Sequence, residues 1–172
     1  MQKHALTLAT ALFGVGMLVA CGGSKTTQPN TTVTYKATLS GANERPTPNS
    51  STATGTWIGT LNTQTNVLTY TLNYTGLSAN STASHIHAQG DATTSAGVVL
   101  NFQSFAGATT AFAPGTTSGS AAGTVNLSGG TVTGLTITGD SLRKAMDAGM
   151  AYVNVHTTAN PGGEIRGQIV KQ

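Results

Sequence analysis

The chain has 172 residues, of which 32 are threonine and 22 are glycine, while Asp, Glu, Lys and Arg together number 13. Threonine is β-branched and favours strands, and glycine favours turns, so this composition excludes a mainly helical protein. The formal net charge is only +3 and the basic residues are scattered singly, so no nucleic-acid partner is expected. The length and the 38 % hydrophobic content fit one folded domain.

Residues 1–20 have the pattern of an export signal. A short basic start is followed by a mostly apolar run that is too short to span a membrane well. The run ends in Leu-Val-Ala-Cys-Gly, which resembles the bacterial lipobox and implies that Cys21 is the lipidated first residue of the mature protein. The alternative is an ordinary signal peptide with an accidental cysteine. Residues 21–32 are polar and predict a lipidated, flexible tether.

Residues 33–172 predict a single all-β domain. Period-two stretches separated by Gly, Asn, Ser and Pro recur along this region, which is the pattern of an antiparallel Greek-key sandwich or barrel. Residues 105–118, rich in Gly, Ala and Thr, predict a loop. About nine strands are predicted. They cover residues 33–39, 54–61, 67–74, 84–88, 98–102, 121–127, 131–138, 151–156 and 164–170.

One short helix is predicted after residue 138. Asp140 or Ser141 can cap its first turn, and Gly149 can end it. Apolar residues recur at helical spacing, which predicts one buried face. That face consists of Leu142, Ala145 and Met146. We therefore expect this helix to pack beneath one end of the sheet, as a structural element without a chemical role of its own.

Three histidines in the predicted domain are candidate metal ligands. His85 and His87 lie two residues apart on a predicted strand, so both point to one face while Ile86 points into the core. His156 ends an alternating strand and could complete a three-imidazole site. Nitrogen ligands alone, with an open position, suit copper or zinc. The alternative is three surface or hydrogen-bonded histidines without a metal.

Four motifs carry a resemblance to a known family. They are LSGANERP at residues 39–46, HIH at 85–87, YVNVHT at 152–157 and NPGGEIRGQI at 160–169. In this order they resemble the CHRD domain, named after chordin, and together they span nearly all of the predicted domain. The family name alone implies no biochemical activity.

A more distant resemblance concerns chemistry. HIHAQGD at residues 85–91, followed by TSAG at 94–97, is similar to the copper-site stretch of the copper, zinc superoxide dismutases. ANPGGEIR at 159–166 is similar to the segment that carries the active-site arginine of those enzymes. The resemblance implies a dismutase-like fold, copper ligation by His85, His87 and His156, and a role for Arg166 in guiding and orienting superoxide.

Two departures change what this resemblance implies. Val98-Val99 stands where the dismutases have Pro-His, whose imidazole bridges copper and zinc, and the further zinc histidines are missing. With Cys21 lipidated, no intrachain disulfide can form, because it is the only cysteine. The resemblance therefore implies a copper-only site with one ion and no zinc, converting superoxide to oxygen and hydrogen peroxide.

Two hypotheses for the whole protein follow. The first is an exported, lipid-anchored copper-only superoxide dismutase of the cell envelope, at the outer membrane if the bacterium has two membranes. Its expected partners are superoxide, the membrane and other envelope proteins. The second is a non-catalytic CHRD module in an envelope assembly, with structural histidines or a non-redox ion. Copper storage is a third possibility, for which Met146 and Met150 are few.

Two smaller features leave their roles open. Glu44, Arg45 and the prolines that follow predict a rigid turn with a surface ion pair, and an interaction loop is the alternative. Tyr152 and Glu164 lie near the histidine and arginine motifs and could supply a proton, but they could equally serve packing and a turn.

Overall fold

The computed structural model describes residues 31–172. The predicted signal peptide, Cys21 and most of the predicted tether lie outside the described residues. Within residues 31–172, no helix combines the length and the apolarity needed to cross a membrane. The elements are β1 Thr32–Ser40, β2 Thr54–Asn62, β3 Val67–Thr75, β4 Ser81–Ala88, β5 Val98–Asn101, β6 Ala108–Thr110, β7 Gly119–Asn126, α1 Gly139–Asp147, β8 Ala151–Thr157, β9 Ile165–Gln168 and β10 Val170–Lys171, with a 3-10 turn at Gly41–Asn43.

All ten strands belong to one antiparallel sheet. Their order is β5-β4-β8-β9-β1-β2-β3-β7-β6, and β10 also pairs with β1. The sheet curls so that one face encloses a single hydrophobic core. The pairings β4–β8 and β3–β7 join strands distant in sequence, as Greek-key connections do. The predicted all-β antiparallel class is confirmed.

Apolar and polar residues alternate along the strands, so one face of the sheet is buried and the other is exposed. In β3, Leu68 and Leu72 are fully buried, whereas the intervening Thr69 and Thr71 are exposed. Each buried leucine stabilises the fold by about 1.5–3 kcal/mol relative to an exposed one. In β2, Trp57 is fully buried, and its ring fills the space beside Gly59, where an added Cβ would clash with it.

The helix has the predicted apolar face but a different cap. Leu142 and Met146 are fully buried, as predicted. The cap is Thr138, whose Oγ1 accepts a hydrogen bond from the Ser141 N–H at 3.1 Å, rather than Asp140 or Ser141. The prediction failed because the helix begins at Gly139, which is buried against the Leu127 backbone and lets α1 start earlier than its apolar spacing indicates.

Two strand predictions and one loop prediction were wrong in detail. Residues 131–138 form only isolated bridges, Thr131 to Thr138 and Leu100 to Leu135, because Gly134 takes a φ of +86° and interrupts the extended chain. The predicted loop at 105–118 contains the short edge strand β6, which pairs with β7. The predicted strand at 164–170 is divided into β9, which pairs with β8 and β1, and β10, which pairs with β1.

Candidate metal centre

The three predicted ligands lie on two neighbouring strands. β4 carries His85 and His87, and β8 carries His156. The register places His87 opposite Tyr152, and the three ring centres are 5.0 to 6.2 Å apart. Ile86 is fully buried on the other face of β4, as strand alternation predicts. The curled sheet therefore brings the three imidazoles into one cluster.

The spacing of the imidazole nitrogens suits a single metal ion. One nitrogen from each ring lies within 4.8 Å of the others, and His85 Nδ1 is 3.2 Å from His156 Nε2. Two imidazole nitrogens bound to one ion at about 2.0–2.1 Å with a tetrahedral angle lie roughly 3.3 Å apart. Among the described residues, this is the one group of three or more His, Cys, Asp or Glu side chains close enough to share an ion.

In two of the three rings, a backbone carbonyl sets which nitrogen can bind a metal. His87 Nδ1 is 2.9 Å from the Ala96 carbonyl oxygen, and His156 Nδ1 is 3.0 Å from that of Pro161. A carbonyl oxygen only accepts, so both Nδ1 atoms carry the proton and both Nε2 atoms keep a lone pair. Imidazoles that bind a metal usually give their other ring N–H to a backbone carbonyl or a carboxylate in this way.

Burial keeps the three imidazoles in the neutral form that metals require. Burial, together with the nearby His156 and His87, lowers the pKa of His85 to about 4. Burial likewise lowers the pKa of His87 to about 4, although the Ala96 hydrogen bond opposes this. Burial also lowers the pKa of His156. At neutral pH, binding therefore needs no proton release from these rings.

Arg166 lies beside the histidines and is almost completely buried. Its Nη2 donates hydrogen bonds to the carbonyl oxygens of Asp91, at 2.6 Å, and Thr94, at 2.8 Å. Its Nη1 is buried without a protein partner. The guanidinium carbon is 3.5 Å from the centre of the Tyr152 ring, which stacks on His87 with 4.6 Å between ring centres. Arg166 and the histidine cluster are thus linked through Tyr152.

The loop between β4 and β5 completes this arrangement. The Tyr152 hydroxyl accepts a hydrogen bond from the Ala96 N–H at 3.0 Å, while the Ala96 carbonyl holds His87. Arg166 binds two carbonyls earlier in the same loop. The arginine therefore helps to position the residue that orients a candidate metal ligand, in addition to presenting its free Nη1.

A cavity of about 180 Å³ adjoins the cluster, and its lining includes His87, His156, Tyr152, Asn154 and Arg166. Within residues 31–172, five buried side-chain polar atoms have no hydrogen-bond partner. Three of them belong to residues lining this one cavity: His87 Nε2, Asn154 Oδ1 and Arg166 Nη1. An unsatisfied buried polar group costs about 1–3 kcal/mol. Their concentration here indicates a place where a ligand completes the bonding.

The predicted surface ion pair of Glu44 with Arg45 was wrong. The Glu44 side chain is 3 % exposed and lines the same cavity, where its Oε1 accepts a hydrogen bond from Asn154 Nδ2 at 2.8 Å. The Arg45 guanidinium instead donates to the main-chain oxygens of Ala42 and Glu44. The turn after the 3-10 segment directs Glu44 inward, which no charge pattern in the sequence indicates.

Asn154 was not among the predicted site residues. It lies on β8 between Tyr152 and His156, and its side chain reaches Glu44. Its register partners are His85 on β4 and Arg166 on β9, so one row across the sheet carries all three. The alternation that places Tyr152 and His156 on one face also places Asn154 there, and this was the signal available in the sequence.

Glu164 lies outside the cavity lining and has a different environment. Its buried carboxylate accepts hydrogen bonds from the Ser51 hydroxyl, the Ser78 N–H and hydroxyl, and the Thr157 hydroxyl, at 2.7 to 2.9 Å. These bonds lower its pKa even though burial acts in the opposite direction. Glu164 thus joins three separate segments of the chain, which is the packing role that was one of its two predicted roles.

The fold and site define a class: an all-β domain whose sheet presents three histidines able to hold one metal ion. The family model of the CHRD domain matches residues 35–169, so the chain belongs to the CHRD family. No curated protein and no solved structure matches it.

Proposed function

We propose that this protein binds one copper ion through His85, His87 and His156 and acts as a copper-only superoxide dismutase. The observation that carries the proposal is a cavity lined by His87 and Arg166, in which the His87 Nε2 and Arg166 Nη1 atoms of these two residues are both buried without a hydrogen-bond partner. The first suits a metal and the second suits a small anion. Superoxide dismutation would use both a redox metal and a group that binds the superoxide anion.

The histidines fit the metal that the proposal requires. His87 and His156 would bind it through Nε2, because their Nδ1 atoms are hydrogen-bonded to carbonyl oxygens. His85 would bind it through Nδ1, which lies close to His156 Nε2. Copper supplies reversible one-electron chemistry, by which one superoxide is oxidised to oxygen and another reduced to hydrogen peroxide. An all-imidazole donor set suits copper and zinc alike, and only copper supports this redox reaction.

Arg166 fits the role of an anion-orienting residue. Burial lowers the pKa of its guanidinium from a very high value, while the nearby Tyr152, Glu44 and Asp91 act in the opposite direction. The guanidinium therefore stays charged. Hydrogen bonds fix Nη2, so Nη1 also has a defined position. A preorganised donor of this kind stabilises developing negative charge without reorganising.

The decisive experiment compares the purified protein with a His85→Ala/His156→Ala variant after loading both with copper. We expect one equivalent of copper, a nitrogen-ligated electron paramagnetic spectrum and superoxide consumption in the parent, with all three lost in the variant. A Thr56→Ala/Thr71→Ala variant, changed only on the exposed sheet face, is the matched control. Failure to bind copper, or equal activity in the two proteins, would overturn the proposal and favour a non-catalytic module.

A second experiment separates the two roles of Arg166. We expect Arg166→Ala to lower the rate constant for superoxide by about 10–100-fold and to weaken its salt dependence, with copper retained. Arg166→Lys should recover part of the rate, because it keeps the charge but not the planar pair of donors. Loss of copper from Arg166→Ala would show instead that holding the loop at Asp91 and Thr94 is its essential role.

We also propose that the protein is exported and anchored in the cell envelope by lipid on Cys21. The support is the lipobox-like sequence LVACG at residues 18–22 and the polar stretch that follows. Cell fractionation and lipid labelling test this. The parent should carry lipid and remain with membranes, and Cys21→Ala should not become lipidated. Ser24→Ala, a small change three residues later, is the control. Lipid labelling of Cys21→Ala equal to that of the parent would overturn the proposal.

A further inference from the structure

Glu44 is the one carboxyl group among the residues that line the cavity beside the histidines. It lies directly after the 3-10 turn Gly41–Asn43 and is 3 % exposed. His87, His156 and Arg166 line the same cavity. The Glu44 carboxyl group therefore lines the same cavity as two candidate metal ligands and Arg166, and it is hydrogen-bonded to none of them.

The contacts of Glu44 hold it in place but leave its charge poorly compensated. Oε1 accepts one hydrogen bond from Asn154, and both carboxylate oxygens pack against Gly163, where an added Cβ would lie 2.7 Å from each. Within residues 31–172, the ion pairs closer than 4.0 Å join Asp147 to Arg143 and Lys171, so Glu44 forms none.

Glu44 is therefore able to carry a proton near neutral pH. Burial raises its pKa to about 7, while the positive charges of Arg166 and Arg45 and the Asn154 hydrogen bond oppose the rise. These groups belong to β9, to its own turn and to β8, and the neutral imidazoles of His87 and His156 also line the cavity. A buried carboxyl tuned toward the working pH is suited to act as a general acid.

We propose that Glu44 is the proton donor for the peroxide-forming half of the reaction, an inference that rests on the dismutase function proposed above. A copper ion held by the three histidines would supply the one electron, and two protons are needed to turn one superoxide into hydrogen peroxide. Glu44 supplies one proton from its carboxyl group, and a water molecule supplies the other and leaves hydroxide. The Glu44 carboxylate then regains its proton from solvent water.

The other proton-bearing groups in the cavity lining are committed elsewhere. The Tyr152 hydroxyl exchanges hydrogen bonds with the Ala96 backbone, and the Nδ1 protons of His87 and His156 are given to carbonyl oxygens. Arg166 keeps its protons at any working pH. Glu164 is not a lining residue and its carboxylate is held ionised by hydrogen bonds. Glu44 is the group with a transferable proton.

The first test observes the carboxyl group directly and needs no activity. Glu44 and Glu164 are the two glutamates of the chain, so ¹³C-labelling of glutamate carboxyls gives two resonances. We expect one to titrate near pH 7, to vanish in Glu44→Gln and to persist with diamagnetic copper(I) present. The other, from Glu164, should titrate below the ordinary range. A Glu44 resonance that titrates near its ordinary value would overturn the inference.

The second test measures the reaction of pre-reduced copper protein with superoxide between pH 5 and 10. We expect the parent rate to fall above about pH 7 and Glu44→Gln to be at least about tenfold slower, with no inflection there. Copper stoichiometry and the oxidised paramagnetic spectrum should be unchanged, and Asp140→Asn, an exposed carboxyl on α1, should match the parent.

The outcomes of the two proposals differ. A parent protein that binds copper but consumes no superoxide would overturn the dismutase function, and with it the reaction that Glu44 is proposed to serve. An active parent with an equally active Glu44→Gln would overturn the Glu44 inference alone. Loss of copper in Glu44→Gln would also overturn it, because Glu44 would then be a structural support of the metal site.

Discussion

The guanidinium of Arg166 lies over the ring of Tyr152, with 3.5 Å between the guanidinium carbon and the ring centre. Tyr152 is on β8, the strand between β9, which carries Arg166, and β4, which carries His87. Its ring is also parallel to the His87 imidazole, with an angle of 4° between the planes. One side chain therefore fixes both the proposed anion-binding residue and a candidate metal ligand.

The Tyr152 stack predicts a graded effect on metal affinity. Tyr152→Leu removes the ring and the hydroxyl, and we expect about 10–100-fold weaker copper binding, as for other losses of support around metal ligands. Tyr152→Phe keeps the ring and loses only the bonds to Ala96, so the loss should be under about tenfold. Competition with a chelator of known affinity measures both, and circular dichroism checks folding. Unchanged affinity in Tyr152→Leu would contradict the prediction.

A second prediction concerns Gly163, which adjoins the proposed proton donor. Its φ is +134°, and an added Cβ would lie 2.6 Å from Asn154 Nδ2 and 2.7 Å from both Glu44 carboxylate oxygens. We expect Gly163→Ala to lower the free energy of unfolding by about 2 kcal/mol or more, because backbone strain and a displaced buried carboxylate add together.

Gly162 offers the matched control for this substitution. An added Cβ there meets no atom within 4 Å, so Gly162→Ala should change the free energy of unfolding by less than about 0.5 kcal/mol. Urea unfolding followed by tryptophan fluorescence measures both variants, since Trp57 is fully buried. Equal stability of the two alanine variants would show that Glu44 and Asn154 have room to move away.

The sequence was sufficient for the parts of the site that depend on strand periodicity. Alternation placed His85 and His87 together and Ile86 in the core, and it placed Tyr152 and His156 on one face of the next strand. Strand alternation is a local rule, so residues two apart can be assigned to one face without knowing the fold.

The inward turn of Glu44 and its bond to Asn154, 110 residues away, depend on long-range packing. The same limit explains the errors outside the site. The edge strand β6 exists because β7 is available to pair with it, and residues 131–138 fail to form a strand because of one positive-φ glycine. The Thr138 cap follows from close packing of Gly139 on Leu127. Each depends on partners that local propensity does not specify.

We expect substitution of Glu164, which lies outside the cavity lining, to lower the free energy of unfolding strongly. Replacing it with alanine leaves the Ser78 N–H and the Thr157 hydroxyl without an acceptor, and we expect a loss of about 3 kcal/mol or more in the free energy of unfolding. Glu164→Gln should be intermediate, because its amide keeps one acceptor oxygen. Urea midpoints measure these effects against Asp140→Asn, an exposed carboxyl. A Glu164→Ala midpoint equal to that control would contradict the prediction.

The pH dependence of stability provides the last prediction, made for the metal-free protein in the presence of a chelator. Burial lowers the pKa of His87 from 6.5 to about 4, so on acidification the unfolded chain takes up a proton before the folded one does. His87 therefore contributes stability above pH 6.5 that is lost as the pH falls to about 4. Glu44 acts in the opposite direction, because its raised pKa lets the fold bind a proton between about pH 7 and 4.5.

Because these two contributions partly cancel in the parent, the informative quantity is the difference between the parent and a variant. The free energy of unfolding of the parent minus that of His87→Gln should fall by about 2 kcal/mol between pH 7 and 4.5. The corresponding difference for Glu44→Gln should rise over the same interval, since the parent loses a buried charge there. Urea titrations at a series of pH values measure both, and two flat differences would show that neither group has the buried environment described for it.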